Sequence, residues 1–222
     1  HNGVFGLYFD ADVGAGYETD TDDLAGSLKE QGIGYIIDND GDFNSATRPA
    51  PKIFATKFLD NSFHAADTNF AWWISGVFGP RVRGTIQDPF RDFGTIDQAT
   101  PVGDKNKYYI MSHDEWDYDQ AFTASIKVDD STWLLPNHAF AEDITKGGDS
   151  RMLLSLGPYE LEPDSSIRVL CATFTGDAVH TNNQAFDYLP DSPQVYLSLL
   201  NFDDVLANSS ISASLAQILL DP

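Results

Sequence analysis

Two runs of carboxylates stand near the start of the chain: Asp10, Asp12, Asp20, Asp22 and Asp23 in one, and Asp38, Asp40 and Asp42 in the other. Each follows a short apolar segment of strand-like composition. Alternate acids in a loop can turn side-chain oxygens toward one centre while backbone carbonyls fill other positions, which is the donor set of a hard cation such as Ca²⁺. Neither run is an EF-hand. Setting Gly41 at that motif's invariant glycine puts Ile36 at the first ligand position, and setting Gly14 there puts Phe9 at it, where an acid is required. A site made from these acids is therefore assembled in three dimensions, from both loops. The plain alternative is a set of solvated turn residues that keep the chain soluble.

A second acidic group follows Ser112 and His113. It contains Asp114, Glu115, Asp117 and Asp119, and its aspartates are candidates for a further cation site. His113 is the imidazole within it, while a transition metal would want a second histidine; His64, His138 and His180 are remote in sequence. Trp72, Trp73 and Trp116 could stack on sugar rings if exposed, although tryptophans at strand positions, Trp133 among the candidates, are more commonly core. The chain has no Gly-x-Ser-x-Gly, His-Glu-x-x-His, Walker or Gly-x-Gly-x-x-Gly pattern. Paired carboxylates for glycoside hydrolysis cannot be singled out among so many acids. No catalytic residue is assigned, and a binding or structural role is favoured over an enzyme.

Composition narrows the partners. The 222 residues carry 34 acids against 13 Lys and Arg, a net charge of −21. Such a surface repels phosphate backbones and anionic lipids, which excludes nucleic acid and disfavours membranes as partners. The acids also repel one another unless cations or salt screen them. A hydrophobic content of 42% with 13% aromatics places the chain among folded proteins. No apolar run reaches the roughly 18 residues of a membrane span. The lone Cys171 excludes an intrachain disulfide and a cysteine-based zinc site, and its apolar neighbours predict a buried, inert thiol. A chain opening on His and running almost at once into a strand reads as a mature or trimmed product.

The acids need elements to position them. Strands are predicted over residues 4–9, 32–37, 52–59, 70–78 and 107–112, and 151–156 with 166–174 form the clearest strand pair. In 166–174 both alternating sets are largely apolar, which predicts a central strand. Residues 24–30 could form a helical turn capped by Asp22 or Asp23. Residues 121–128 are strand or short helix; 45–51, 79–103 and 133–140 read as loops, and 177–193 as a polar loop. Residues 201–220 form the one convincing helix, with Asn201 or Asp203 as its cap and Ile211, Leu215, Ile218 and Leu219 as its apolar stripe. About eight short strands with long loops and one C-terminal helix predict an all-β fold, a β-sandwich or jelly roll, in a single domain over 1–222.

Several segments together resemble a module of large secreted bacterial proteins that carry C-terminal immunoglobulin-like or sorting domains. They are Asp10-Ala-Asp-Val-Gly with Asp22-Asp-Leu-Ala-Gly, Tyr109-Ile-Met-Ser with Glu115-Trp-Asp-Tyr-Asp-Gln, the run from Arg151 to Pro163, and Ala216-Gln-Ile. The resemblance carries no activity. It implies export, β-rich architecture and a place in a longer polypeptide or surface assembly, of which this chain is a processed piece. The expectation is an extracellular or cell-surface, calcium-stabilised structural or adhesive module, a subunit of a surface layer or filament. Its partners would be further copies or other cell-surface proteins. The alternatives are a carbohydrate-binding module that recognises polysaccharide, and a secreted hydrolase.

Overall fold

The computed structural model describes residues 2–14, 22–41, 52–59, 68–75, 101, 103–113, 116–125 and 138–220, with the side chains of Asn2, His138 and Ala139 left aside. The loops expected at 45–51, 79–103 and 133–140 lie wholly or mainly outside these residues.

Two antiparallel sheets are built from seven described strands. β1 (Asn2–Asp10), β6 (Ser150–Glu160) and β5 (Thr68–Ile74) form the first, in the order β1-β6-β5. β2 (Asp23–Leu28), β3 (Ile33–Asp38), β4 (Ile53–Phe58) and β7 (Cys171–Gly176) form the second, in that order. The hairpin β2–β3 pairs in full register from Asp23↔Asp38 to Leu28↔Ile33, through a 3₁₀ turn (Lys29–Gln31) that Gly32 closes. The helical turn expected over 24–30 is thus a strand over most of its length, because six residue pairs to an apolar neighbour outweigh one capped turn.

Alternation explains the layering. Phe70, Trp72 and Ile74 point to one face of β5, with Met152 and Leu154 beside them on β6. They meet Ala25 and Ile36 of the second sheet, with Phe9, Phe54 and Phe58 packed alongside, so the two sheets share one core. The opposite face of the first sheet carries Ala71, Trp73 and Leu153, and buries them under Ile110 and Met111 of α1 (Asp104–Met111). The opposite face of the second sheet carries Leu24, Ile33, Tyr35, Ile37, Ile53 and Ala55. The C-terminal part of the chain covers it, with Val179, Ala185, Leu189, Tyr196, Leu200 and Val205. Strands apolar on both faces need cover on both faces, and helices supply the outer cover.

The architecture is consequently mixed α/β rather than all-β, although the facing sheets are consistent with a sandwich. Besides α4 (Asp203–Leu220), helices occur at α1, α2 (His138–Lys146) and α3 (Pro193–Ser198). The strand expected over 107–112 is α1: its aromatic composition suggests a strand, but the segment buries Ile110 alone against β6. The 121–128 segment begins as a 3₁₀ turn (Gln120–Ser125), the polar stretch after Asp177 holds the 3₁₀ turn Ala185–Tyr188 and α3, and the last residues of the loop expected over 133–140 open α2. The strands expected as a pair, β6 and β7, lie in different sheets, and β7 is an edge strand rather than a central one. Cys171 is exposed, not buried.

Trp72 is the most consequential single side chain of the shared core: 1% exposed, with its indole Nε1 donating to the Tyr118 carbonyl at 2.7 Å. Trp72→Ala is expected to lower the unfolding free energy by about 3–5 kcal/mol, read from the midpoint and slope of a urea titration.

Candidate functional site

The described acids of the first two runs gather at one end of both sheets. β1 ends at Asp10, opposite Arg151 at the start of β6. β2 begins at Asp23, opposite Asp38 at the end of β3. Asp23 also bridges to Gly148, just ahead of β6, so the ends of four strands from both sheets converge.

Asp23 sits at the centre, 1% exposed. Its carboxylate Oδ1 accepts the Val13 amide at 3.2 Å. Its backbone carbonyl accepts the Gly148 amide at 3.0 Å, the Ser150 hydroxyl at 2.8 Å and, more weakly, Gln120 Nε2 at 3.4 Å. Burial pushes the carboxyl up to about 9; the Val13 amide opposes this, and the nearby charges of Asp22, Asp12 and Asp38 add to it. Both loops foreseen as ligand sources therefore reach one buried carboxyl. Asp10 is drawn aside into an ion pair with Arg151 Nε at 3.0 Å, and Arg151 also reaches Asp149 at 3.5 Å. Burial raises Asp149 too, ahead of opposing contributions from Ser75 and Arg151.

Asp38 turns inward to its own loop: its Oδ1 accepts the amides of Asp40, at 2.9 Å, and Gly41. His180 Nε2 donates to the Asp38 carbonyl at 2.6 Å, and Tyr196 donates its hydroxyl to the Asn39 carbonyl at 2.8 Å. Gly41, at φ +73°, lies against the His180 side chain, where a Cβ would come within 2.6 Å of the His180 Cβ and 2.7 Å of its ring. Burial lowers the His180 pKa, against the opposing pull of the Asp38 carbonyl and Asp40. His180 and Tyr196 escaped sequence reasoning: neither sits in a motif, and what unites them is the loop they hold. Asp20 and Asp42 lie outside the described residues. Among the described residues no three His, Cys, Asp or Glu side chains stand together as a ready ligand set, so the acids converge in charge more than in coordination geometry.

The second acidic group does different work. Asp119 Oδ1 accepts the Ser27 amide at 2.8 Å and its hydroxyl at 3.2 Å, and burial pushes this carboxyl up to about 6 despite both bonds. Asp117 Oδ2 accepts the Trp72 amide at 3.3 Å. These two acids cap the edges of β2 and β5. Asp114 lies outside the described residues, as do Glu115 and Trp133. The His113 ring lies tilted against Tyr109, with ring centroids 4.8 Å apart, on the turn after α1.

The stacking role considered for Trp72 and Trp73 needs an open ring face, and both rings are buried on opposite faces of β5. Trp116 is half-buried, tied by Nε1 to Ser27 Oγ at 2.7 Å, with the Phe70 ring on it and Lys29 Nζ 6.0 Å from its centroid. Comparison with protein-family models, curated proteins and solved structures gives no match.

The titration of Asp23 has a definite sign. The folded chain holds the proton to about pH 9, whereas an unfolded aspartate releases it near its ordinary 3.8. The stability this proton confers is full below pH 4 and is lost as pH rises toward 9. With divalent ions chelated, the melting temperature is expected to fall across that window, and Asp23→Asn, which keeps the carbonyl and cannot ionise, should flatten the fall. Parallel slopes for the two proteins would show that Asp23 does not titrate there.

Proposed function

We propose that the chain is an extracellular, calcium-stabilised structural or adhesive module, part of a larger secreted bacterial protein or surface assembly, with a sandwich of two sheets at its centre. The observation that carries this reading is Asp23, a carboxyl sealed at the junction of both sheets with Asp12, Asp22 and Asp38 as its charged neighbours. Near neutral pH such a group is either protonated or compensated by a cation, and an oxygen-only donor set selects a hard one. Asp12, Asp22, Asp23 and Asp38 would hold the ion, with Asp40 beside them. Bound there, it supplies positive charge where four strand ends meet, which is a structural task.

Three further points agree with this reading. The net charge of −21 calls for counter-ions. The imidazole and tyrosine nearest the acids are engaged in holding backbone. Among the described residues no helix is long and apolar enough to cross a membrane. Neither sugar binding nor hydrolysis draws on a comparable observation, because Trp72 and Trp73 belong to the core.

Calcium at about a hundredfold over its Kd adds about 2.7 kcal/mol, so chelation should lower the melting temperature by roughly 5–10 °C for a chain of this size. Titration calorimetry should show Ca²⁺ binding in the wild type and its loss in Asp23→Asn. A melting curve indifferent to chelator, with no metal by elemental analysis, would falsify the reading.

A further inference from the structure

The two sides of the sandwich are closed unequally. On one side the outer edges of β5 and β2 come together, and the segment from Asp117 to Gln120 laces them. Asp117 receives the Trp72 amide and gives its own amide to the Phe70 carbonyl at 2.9 Å. Asp119 takes the Ser27 amide, and Gln120 Oε1 takes that of Ala25 at 2.9 Å. These contacts occupy donors and acceptors on which another strand could pair. On the other side β1 stands over β4, with ring centroids of Phe9 and Phe54 4.8 Å apart and those of Phe5 and Phe58 6.0 Å apart. The second sheet then continues for one more strand, β7, while the first stops at β1. Among the described residues, the position beside β1 and above β7 holds no strand.

Register identifies the floor of this slot. Thr175, Thr173 and Cys171 pair with Phe54, Thr56 and Phe58, so they point to the face of the second sheet that looks toward the first. All three are exposed. Phe5, on the wall, is 36% exposed, whereas Phe70 and Trp72 on the laced side are sealed. Helix α4 does not enter the slot. It packs on the opposite face of β7, where a Cβ on Gly176 would come within 2.9 Å of Val205. From Gly3 to Phe9, β1 carries neither charge nor proline, the usual guards of an edge, and beyond its register shift Phe5–Phe9 pairs regularly with β6. On a chain of net charge −21, a neutral slot with an apolar wall is a marked departure.

We propose that this slot takes an extended segment of another polypeptide, which pairs antiparallel with Phe5–Phe9 and becomes the fourth strand of the first sheet. The main chain of β1 supplies the hydrogen bonds. Alternate side chains of the guest point down to Cys171, Thr173 and Thr175, which selects apolar residues at every second position. An acid there would be buried without a partner, on a chain already rich in negative charge. The slot is one strand wide, about 5 Å, so it admits an extended segment and not a folded domain. Strand order also rules out the β1 of a second copy. Two copies paired through β1 about a two-fold axis normal to the sheets would set the β7 of each where the β4 of the other lies.

Neither the slot nor its readout involves the cation, so the test is separate from melting with chelator. The probe is a synthetic peptide as long as β1, 9 residues, alternating valine and threonine with lysine at both ends, added at millimolar concentration to the purified full-length chain. Cys171, on the floor, reports occupancy: its alkylation by iodoacetamide should slow at least tenfold at saturating peptide. Amide exchange should slow within residues 5–9 and not within 68–74, where the edge is already occupied. Thr173→Trp, which fills the slot from its floor and should leave the circular dichroism unchanged, is expected to abolish both effects of the peptide. Replacing each valine of the peptide by aspartate should abolish them as well. No slowing at Cys171, or slowing that survives Thr173→Trp or the aspartate peptide, would overturn the proposal. So would slowing that follows the protein's own concentration without peptide, which would make a second copy the occupant.

Discussion

The carbonyl of Asp23 is the joint on which both sheets hang. It begins β2, yet the groups that reach it come from the segment leading into β6 and from the Gln120 turn. Gln120 is fully buried and has both polar atoms in use: Oε1 takes the Ala25 amide, and Nε2 gives to the Ile144 carbonyl and reaches the Asp23 carbonyl. A buried amide satisfied in this way fixes a unique alignment, since sliding either sheet by one residue would leave several of these groups without a partner, each at about 1–3 kcal/mol. The hydrophobic core between the sheets is less particular, because apolar contacts tolerate small displacements that hydrogen bonds do not.

The carboxyl of the same residue works against this joint. Fixing the carbonyl buries the side chain, and burial beside Asp12, Asp22 and Asp38 penalises its ionised form. An asparagine would accept the Val13 amide as well and carry no such cost, so the acid gains its meaning from something that compensates charge. A proton does so at low pH and a divalent cation can do so above it. The compensation would act at the point where both sheets are aligned, and so would govern global stability from one end of the molecule.

Much of the fold was legible from residue patterns, and its departures have physical causes. β1, β3 and β4 were found within a few residues because β-branched and aromatic side chains fill them. Of the two acid runs, hairpin pairing sets Asp23 opposite Asp38 at the strand ends. Helix α1 was hidden by its tyrosines, and β2 by the cap-like acids before it. Residues 166–174 were read as a central strand because both alternating sets are largely apolar, but the strand spans Cys171–Gly176 and its face bearing Cys171, Thr173 and Thr175 is exposed. His180 gave no signal at all, for a lone histidine announces itself only through the carbonyl it meets.

The C-terminal helix shows most clearly what a periodic pattern can and cannot decide. The stripe of Ile211, Leu215, Ile218 and Leu219 has the spacing of a core-facing helix, and the helix forms where that spacing places it. Yet the buried side carries Val205, Ser209 and Ala216. Small side chains let the helix axis come close to β7, which fixes its position through backbone proximity and leaves the larger residues outside. Sequence amphipathicity identifies a face that seeks cover without saying whether the cover is intramolecular. Here the helix meets the sheet through Val205, Ser209 and Ala216, and the face with the larger residues is left exposed.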